Sequence, residues 1–228
     1  MPLKEKYYSR FEVITLSFIL ILFLFLWDTF LVFPIKLFTV ILHEVSHGIA
    51  GILSGGQILM IQFDPNLGGM CIIEGGNEFI VASAGYIGSL ILGSILFISS
   101  FKKYLSYWVC IGYGALLILI TSNLLVGKFE IIMSLLFAVF LILSAKFLKW
   151  EIHSFIMKLI GLTSCIYVLF DIKDDLFASA ERQTDAQLIF LLTGIPIFIW
   201  ATLWLFIAAL TIYLLLRKGY KSVTLPIE

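Results

Sequence analysis

Two histidines and a glutamate lie at metal-binding spacing within one apolar stretch of the chain. His43, Glu44 and His47 form the pattern His-Glu-x-x-His, with apolar residues before and after it. On an α-helix, positions i and i+4 lie one above the other, so both imidazoles can reach one zinc ion while Glu44 points beside it. Zinc lowers the pKa of a bound water towards about 7, and a carboxylate can take the proton of that water and pass it to a leaving amine. The pattern therefore predicts two zinc ligands, His43 and His47, and a general base, Glu44.

The composition places this motif in a membrane. Hydrophobic residues make up 61% of the 228 residues, charged residues 13%, and the mean hydropathy is +1.08. A water-soluble domain cannot have this composition, so we expect a multi-pass integral membrane protein in contact with the lipid bilayer, in the cell membrane if the source is bacterial. The 15 basic and 15 acidic side chains leave no net charge to attract a polyanion. Nucleic acid is therefore excluded as a partner.

The apolar residues group into membrane-spanning windows. A helix needs about 20 apolar residues to cross the hydrocarbon layer, and about seven windows qualify. We expect one membrane-embedded domain over residues 1–228, of the all-α polytopic class, with about seven transmembrane helices and a small β-hairpin. The windows are residues 11–33, 35–54, 79–101, 104–127, 131–145, 152–170 and 187–216.

Three segments depart from simple spans. The last window is too long for one untilted helix, and Gly194 followed by Pro196 predicts a short helix that breaks before a full span. Residues 57–77 contain two short β-prone runs on either side of a turn signal that begins at Asp64-Pro65, which predicts a hairpin directly after the zinc-motif helix. Residues 171–185 form the most charged connection and predict an acidic loop.

Several segments together resemble the M50B-like branch of the site-2 protease superfamily of intramembrane metallopeptidases. Residues 83–89 read Ser-Ala-Gly-Tyr-Ile-Gly-Ser, which is similar to the Ala-Gly-Tyr-Leu-Gly-Ser segment of that branch. Residues 171–175 read Asp-Ile-Lys-Asp-Asp and residues 184–186 read Thr-Asp-Ala, similar to its Asp-Ile-x-Asp-Asp and Ser-Asp-Ala segments. The resemblance extends from about residue 38 to residue 204 and implies a metallopeptidase with a zinc cofactor.

The third zinc ligand is not identified by the motif. Classical site-2 proteases place it in a Leu-Asp-Gly sequence, which this chain lacks. An even number of crossings separates the end of the zinc-motif helix from the end of the 152–170 window, so residues near 171 return to the same face of the membrane. Asp171 follows directly on an apolar run and should lie deepest, so it is our first choice. The alternatives are Asp174, Asp175 and Asp185.

Other polar or small residues have simpler explanations. His153 next to Trp150 and Asp28 at the end of an apolar run suit interfacial positions. The three cysteines are widely separated and suit apolar packing. Small residues permit close approach to the zinc-bearing helix, and the resemblance implies that they wall the active site. They are Ala84, Gly85, Gly88, Ser89 and Gly93.

The sequence therefore predicts an intramembrane zinc metalloprotease that hydrolyses a peptide bond of a membrane-associated protein substrate. The alternative is a non-catalytic zinc-binding membrane protein, such as a transporter, a sensor or an inactive homologue. Glu44 favours the enzyme, because metal binding alone needs the histidines and not a base between them. We further expect an exposed edge of the hairpin, within residues 58–63, to hold the substrate as an extended segment near the zinc. The alternative is an ordinary surface turn.

Overall fold

The computed structural model describes residues 14–23, 25–27, 29–178 and 184–221. Ten elements follow one another in this part of the chain. In order they are α1 (Ile14–Phe23), α2 (Phe33–Leu53), β1 (Gln57–Phe63), β2 (Gly69–Glu74), α3 (Glu78–Ser99), α4 (Lys103–Asn123), α5 (Lys128–Phe147), α6 (Trp150–Leu176), α7 (Asp185–Thr193) and α8 (Ile197–Lys221).

Helices α2, α3, α4, α5, α6 and α8 are long and apolar enough to cross a membrane, six such helices among the described residues. The outer surface carries many exposed large apolar side chains, as contact with lipid requires. The all-α, multi-pass class is therefore confirmed. The first predicted window, residues 11–33, contributes the apolar helix α1, and Asp28 lies outside the described residues.

The break predicted in the last window is confirmed. Helix α7 ends at Thr193, and Gly194 takes a left-handed conformation with φ 69°. Pro196 follows, and α8 begins one residue later. The hydroxyl of Thr193 accepts hydrogen bonds from the amide of Ile195 and from the indole of Trp200, which ties α8 to the end of α7.

Helix α6 is longer than its apolar pattern predicts. The pattern ends at residue 170, whereas the helix continues to Leu176. The segment from residue 171 to residue 176, expected as part of an acidic loop, is therefore helical. Asp171 and Asp175, one turn apart, face the polar interior described below, while Lys173 and Asp174 are exposed. The apolar pattern of the span does not reveal this continuation of the helix.

The predicted hairpin is confirmed as the antiparallel pair β1–β2. Its turn is held by Asp64, whose carboxylate accepts hydrogen bonds from the amides of Asn66 and Gly68. The left-handed residue of this turn is Leu67 with φ 66°, not one of the two glycines that follow it. The hairpin packs on α2 at two glycines. Gly48 leaves room for the side chain of Ile58 in β1, and Gly51 leaves room for that of Ile73 in β2.

Helix α3 lies between α2 and α6 and touches both along its length. Its N-terminus is capped by Asn77, whose side chain accepts a hydrogen bond from the amide of Ile80. Gly93 of α3 and Gly161 of α6 meet directly: a Cβ atom at either one would lie 2.6 or 2.5 Å from the carbonyl oxygen of the other. These glycines set the close α3–α6 approach, as small residues do in membrane helix pairs.

We predict that Gly161→Ala destabilises the bundle, because the added methyl group would meet the backbone of Gly93 and Phe97. Overpacking of this kind costs about 1–3 kcal/mol. Thermal unfolding in detergent measures the effect. Gly112→Ala in α4 is the matched control, since its Cβ would have no neighbour within 4 Å. Equal unfolding temperatures for the two variants would contradict the prediction.

Candidate active site

The paired histidines and the glutamate of α2 are buried within the bundle. His43, Glu44 and His47 are each less than a tenth exposed. Since the two histidines are one turn apart, their Nε2 atoms point to the same place and lie 3.0 Å from each other. Gly85 of α3 covers them, and a Cβ there would overlap the ring of His43 and lie 2.7 Å from Nε2 of His47. The absence of a side chain at this position is what admits the two rings.

Asp185 completes a three-residue cluster with these histidines. Its Oδ2 atom lies 3.2 Å from Nε2 of His43 and 3.1 Å from Nε2 of His47. The residue opens α7, and Thr184 caps that helix by accepting a hydrogen bond from the amide of Gln187. The cap fixes where the helix starts, and so it fixes where the Asp185 carboxylate points.

The three atoms have the separations that a metal ion requires. Tetrahedral ligands at about 2.0–2.1 Å from zinc lie about 3.3 Å from one another. The observed separations of 3.0 to 3.2 Å are close to this value before any metal is bound. Two imidazoles and one carboxylate are also the donor types that a catalytic zinc site uses. His43, His47 and Asp185 could therefore hold a metal ion.

The four aspartates considered from sequence have four different surroundings. Asp171 lies 3.1 Å from Nδ1 of His43, on the opposite side of the ring from the metal-facing Nε2. Asp174 is largely exposed and lies near Lys173. Asp175 is buried and accepts a hydrogen bond from the hydroxyl of Tyr86. Of the four aspartates, Asp185 alone has an oxygen within 3.2 Å of both Nε2 atoms. The geometry therefore favours Asp185, one of the alternatives, over Asp171 as the third ligand.

Glu44 and the hairpin enclose a cavity next to the cluster. The cavity has a volume of about 230 Å³ and is lined by both histidines and by residues of β2, α6 and α7. Gly69 of β2 lies directly on Glu44, where a Cβ would overlap the carboxylate. The hairpin therefore approaches the site, and the volume is large enough for water and a short length of peptide backbone.

Two groups at the site, outside the six spanning helices, have shifted pKa values. Burial alone would raise the pKa of Asp185, but the charges of and hydrogen bonds with His47 and His43 outweigh it and hold that pKa below its usual range. Burial raises the pKa of the Cys71 thiol to about 12, with a further contribution from Glu44. Asp185 is therefore a carboxylate at neutral pH, and Cys71 stays protonated.

The remaining predicted positions are divided between the site and the rest of the bundle. Gly85 walls the site, Gly88 lies against Ser46 of α2, and Gly93 instead faces α6. His153 lies in the first turn of α6, where it is buried and shares a 2.8 Å hydrogen bond with Ser106 of α4, so it packs between two helices.

Three residues around the cluster had no role assigned from sequence. Tyr86 and Tyr167 flank the ring of His43, and Leu67 at the hairpin turn lines the cavity. Tyr86 belongs to the segment at residues 83–89, which was the one signal available for it. Tyr167 and Leu67 gave no signal, because aromatic and aliphatic residues are common in membrane helices and turns.

One comparison with known proteins gives a match. The family model described as Peptidase M50B-like matches residues 16–215. That range contains every element from α2 to α7 and most of α8. The search of curated proteins and the search of solved structures found no match.

We predict that Gly85→Ala disrupts the cluster of His43, His47 and Asp185, because the methyl group would occupy the space of the two imidazole rings. If the cluster holds a metal ion, the metal bound per chain should fall about tenfold or more, measured by elemental analysis of purified protein. The matched control is again Gly112→Ala, which adds the same group where nothing lies within 4 Å. Normal zinc content in Gly85→Ala would show that the rings do not need this space.

Proposed function

Because the chain belongs to the Peptidase M50B-like family, we propose that it is an intramembrane zinc metalloprotease that cleaves a membrane-associated protein substrate. One observation carries the proposal: three metal-ligand atoms converge beside Glu44, in one cavity, on helices that belong to a membrane bundle. Ionisable groups buried inside a membrane bundle are costly and are usually retained for function. A family match over most of the chain supports a peptidase, and the geometry supports zinc chemistry in particular.

In this proposal His43, His47 and Asp185, which line one cavity, would hold Zn²⁺. When bound, zinc would supply Lewis-acid polarisation of the scissile carbonyl and a lower pKa for a water molecule. Glu44, directly after the first ligand, accepts the proton of the attacking water and then donates it to the leaving amine. Its burial against Gly69 keeps the carboxylate in one place and limits its exchange with bulk water.

The substrate must present an extended segment, since a transmembrane helix hides its peptide bonds within its own hydrogen bonds. We propose that the outer edge of β2 holds this segment. The alternation of an antiparallel ladder identifies that edge. The backbone amide of Asp64 donates a hydrogen bond to the carbonyl oxygen of Gly68, so these two residues form a hydrogen-bonded pair. By the alternation, the next pair of the ladder, Phe63 and Gly69, is not hydrogen-bonded between the strands.

The same alternation leaves Ile61–Cys71 as another pair without hydrogen bonds between the strands. The amide of Ile61 confirms this register of the ladder, because it donates outward to the carbonyl of Leu124. The backbone groups of Gly69 and Cys71 therefore point away from β1, and both residues line the cavity. In the part of the chain that the structure describes, no backbone hydrogen bond from another element reaches them.

This choice of strand refines the sequence-based expectation of an edge within residues 58–63. That edge is β1, and the carbonyl of Leu124, the residue that follows α4, already occupies it at Ile61. An added strand needs free donors and acceptors, so β2 is the better template. Its position beside Glu44 would place the bound backbone near the general base.

We predict that the purified chain binds about one zinc and loses it when both histidines are replaced by alanine. Asp185→Ala should lower zinc affinity far more than Asp174→Ala, because Asp174 is exposed and remote from the cluster. Elemental analysis and competition with a chromophoric chelator measure both. Full zinc occupancy in the double histidine variant would overturn the metal site.

We predict that Glu44→Gln keeps zinc and abolishes cleavage, because an amide cannot accept the proton of the water. General-base catalysis contributes about 10²–10⁴-fold, so the loss should be at least of this order. Cleavage is measured on a panel of single-span membrane segments in detergent or vesicles. Equal activity in the variant and the parent would remove the base role, and zinc binding without any cleavage by the parent would support the non-catalytic alternative.

We predict that Cys71→Pro lowers cleavage at least tenfold and leaves zinc content unchanged. Proline removes an edge amide that β1 does not use, so the hairpin itself can persist. Cys71→Ala is the control, because it removes the thiol and keeps the amide. If the proline and alanine variants cleave equally well, β2 does not hold the substrate by this amide.

A further inference from the structure

The two histidines are held at their second ring nitrogen by acceptors of different kinds. Nδ1 of His47 lies 2.7 Å from the carbonyl oxygen of Val81, and Nδ1 of His43 lies 3.1 Å from Oδ2 of Asp171. A carbonyl oxygen can only accept, so Nδ1 of His47 carries a proton and Nε2 is left as the ring nitrogen that can bind a metal ion. For His47 this tautomer is set by backbone alone. For His43 it depends on one side chain.

The contact between Asp171 and His43 joins two buried polar atoms. Nδ1 of His43 and Oδ2 of Asp171 are buried and lie 3.1 Å apart, and neither atom has a hydrogen bond among the described residues. A buried polar atom left without a partner is costly, so each atom stabilises the orientation of the other. Asp174 provides the contrast, since it lies in the same turn of α6 and its side chain is 63% exposed.

A pair of tyrosines holds the ring of His43 from the sides. The ring centroid of Tyr86 lies 6.0 Å from that of His43 and the centroid of Tyr167 lies 6.2 Å away, both in edge-on geometry. Tyr86 is itself fixed, because it is fully buried and its hydroxyl donates to Asp175. Asp171 and Asp175 are one helical turn apart, so one face of α6 contacts His43 both directly and through Tyr86.

We propose that Asp171 is a positioning residue for His43, and that the Asp175–Tyr86 pair supports it. In this role the Asp171 carboxylate accepts a hydrogen bond from Nδ1–H of His43. It thereby selects the tautomer whose Nε2 is free to bind the metal. The proposal rests on the proposed zinc site, and it assigns distinct roles to the aspartates of the 171–175 segment. Asp171 orients a ligand, Asp175 anchors the neighbouring tyrosine, and Asp174 faces outward. In metal sites, such outer contacts contribute about 10–100-fold to metal affinity.

Metal affinity of the full-length chain in detergent tests the proposal first. Asp171→Ala should weaken zinc binding about 10–100-fold. Asp171→Asn should recover part of the loss, because its amide oxygen can still accept the Nδ1 proton. Asp174→Ala should bind zinc like the parent. If Asp171→Ala binds zinc as tightly as the parent, Asp171 does not position His43. If the alanine and asparagine variants both lose as much affinity as Asp185→Ala, Asp171 is a direct ligand and the positioning role is overturned.

The histidine tautomer gives a second test that needs no metal and no activity. The chain has three histidines, so selective ¹⁵N labelling of histidine gives a spectrum simple enough to assign by single substitutions. In the metal-free parent, Nδ1 of His43 should be protonated. Asp171→Ala should move His43 towards the Nε2-protonated form, while His47 and His153 stay unchanged as internal references. An unchanged tautomer in Asp171→Ala would overturn the proposal.

These outcomes are distinguishable from failure of the zinc site itself. If His43→Ala and the parent bind zinc equally, the proposed metal centre is wrong whatever Asp171 does. If zinc binding needs both histidines, but Asp171→Ala changes neither the zinc affinity nor the tautomer of His43, the metal centre is supported and the positioning role of Asp171 is wrong. Tyr86→Phe adds a graded comparison, since it keeps the ring and removes the hydroxyl that donates to Asp175. It should weaken zinc binding less than Asp171→Ala does.

Discussion

A cluster of histidines and carboxylates inside a membrane bundle is stable only when its polar atoms are paired, because lipid offers no hydrogen bonds. In this protein the polar atoms of the cluster face one another at short distances. Asp185 meets the two Nε2 atoms, Asp171 meets Nδ1 of His43, and a backbone carbonyl meets Nδ1 of His47. In the proposed holoenzyme, two carboxylates balance the charge of a divalent cation. Glu44 then remains as the carboxylate available for proton transfer.

This pairing requires several elements to come very close to α2. A side chain at the point of contact would hold the two elements too far apart, so each close approach to α2 is made at a glycine. Gly85 admits the histidine rings from α3, Gly69 admits Glu44 from the hairpin, and Gly88 admits Ser46. Gly93 and Gly161 do the same between α3 and α6, and so bring Tyr86 and Asp175 into contact. The glycines are thus part of the site, although none of them is a ligand.

The elements that do not cross the membrane contribute to the cavity and not to the span. The hairpin and α7 are both too short to span, and they lie on the cavity that the spanning helices leave open. In the proposed mechanism the ligands on α2 are held rigidly, while β2 offers a backbone edge to an extended substrate. The site can then be dry enough for strong electrostatics and still accessible to peptide.

The sequence by itself determined the features that depend on neighbours along the chain. The His-Glu-x-x-His pattern brings two imidazoles together through helical periodicity alone, Gly194 and Pro196 break the last helix, and the turn at Asp64 makes a hairpin. The choice among four aspartates was different. A count of membrane crossings placed the Asp171 segment on the correct face, but it could not tell which ring nitrogen of His43 a carboxylate would reach. That depends on α6 continuing past its apolar run and on the cap that sets the start of α7. These are outcomes of packing between elements far apart in sequence, so only the tertiary structure decided that Asp185 faces Nε2 and Asp171 faces Nδ1.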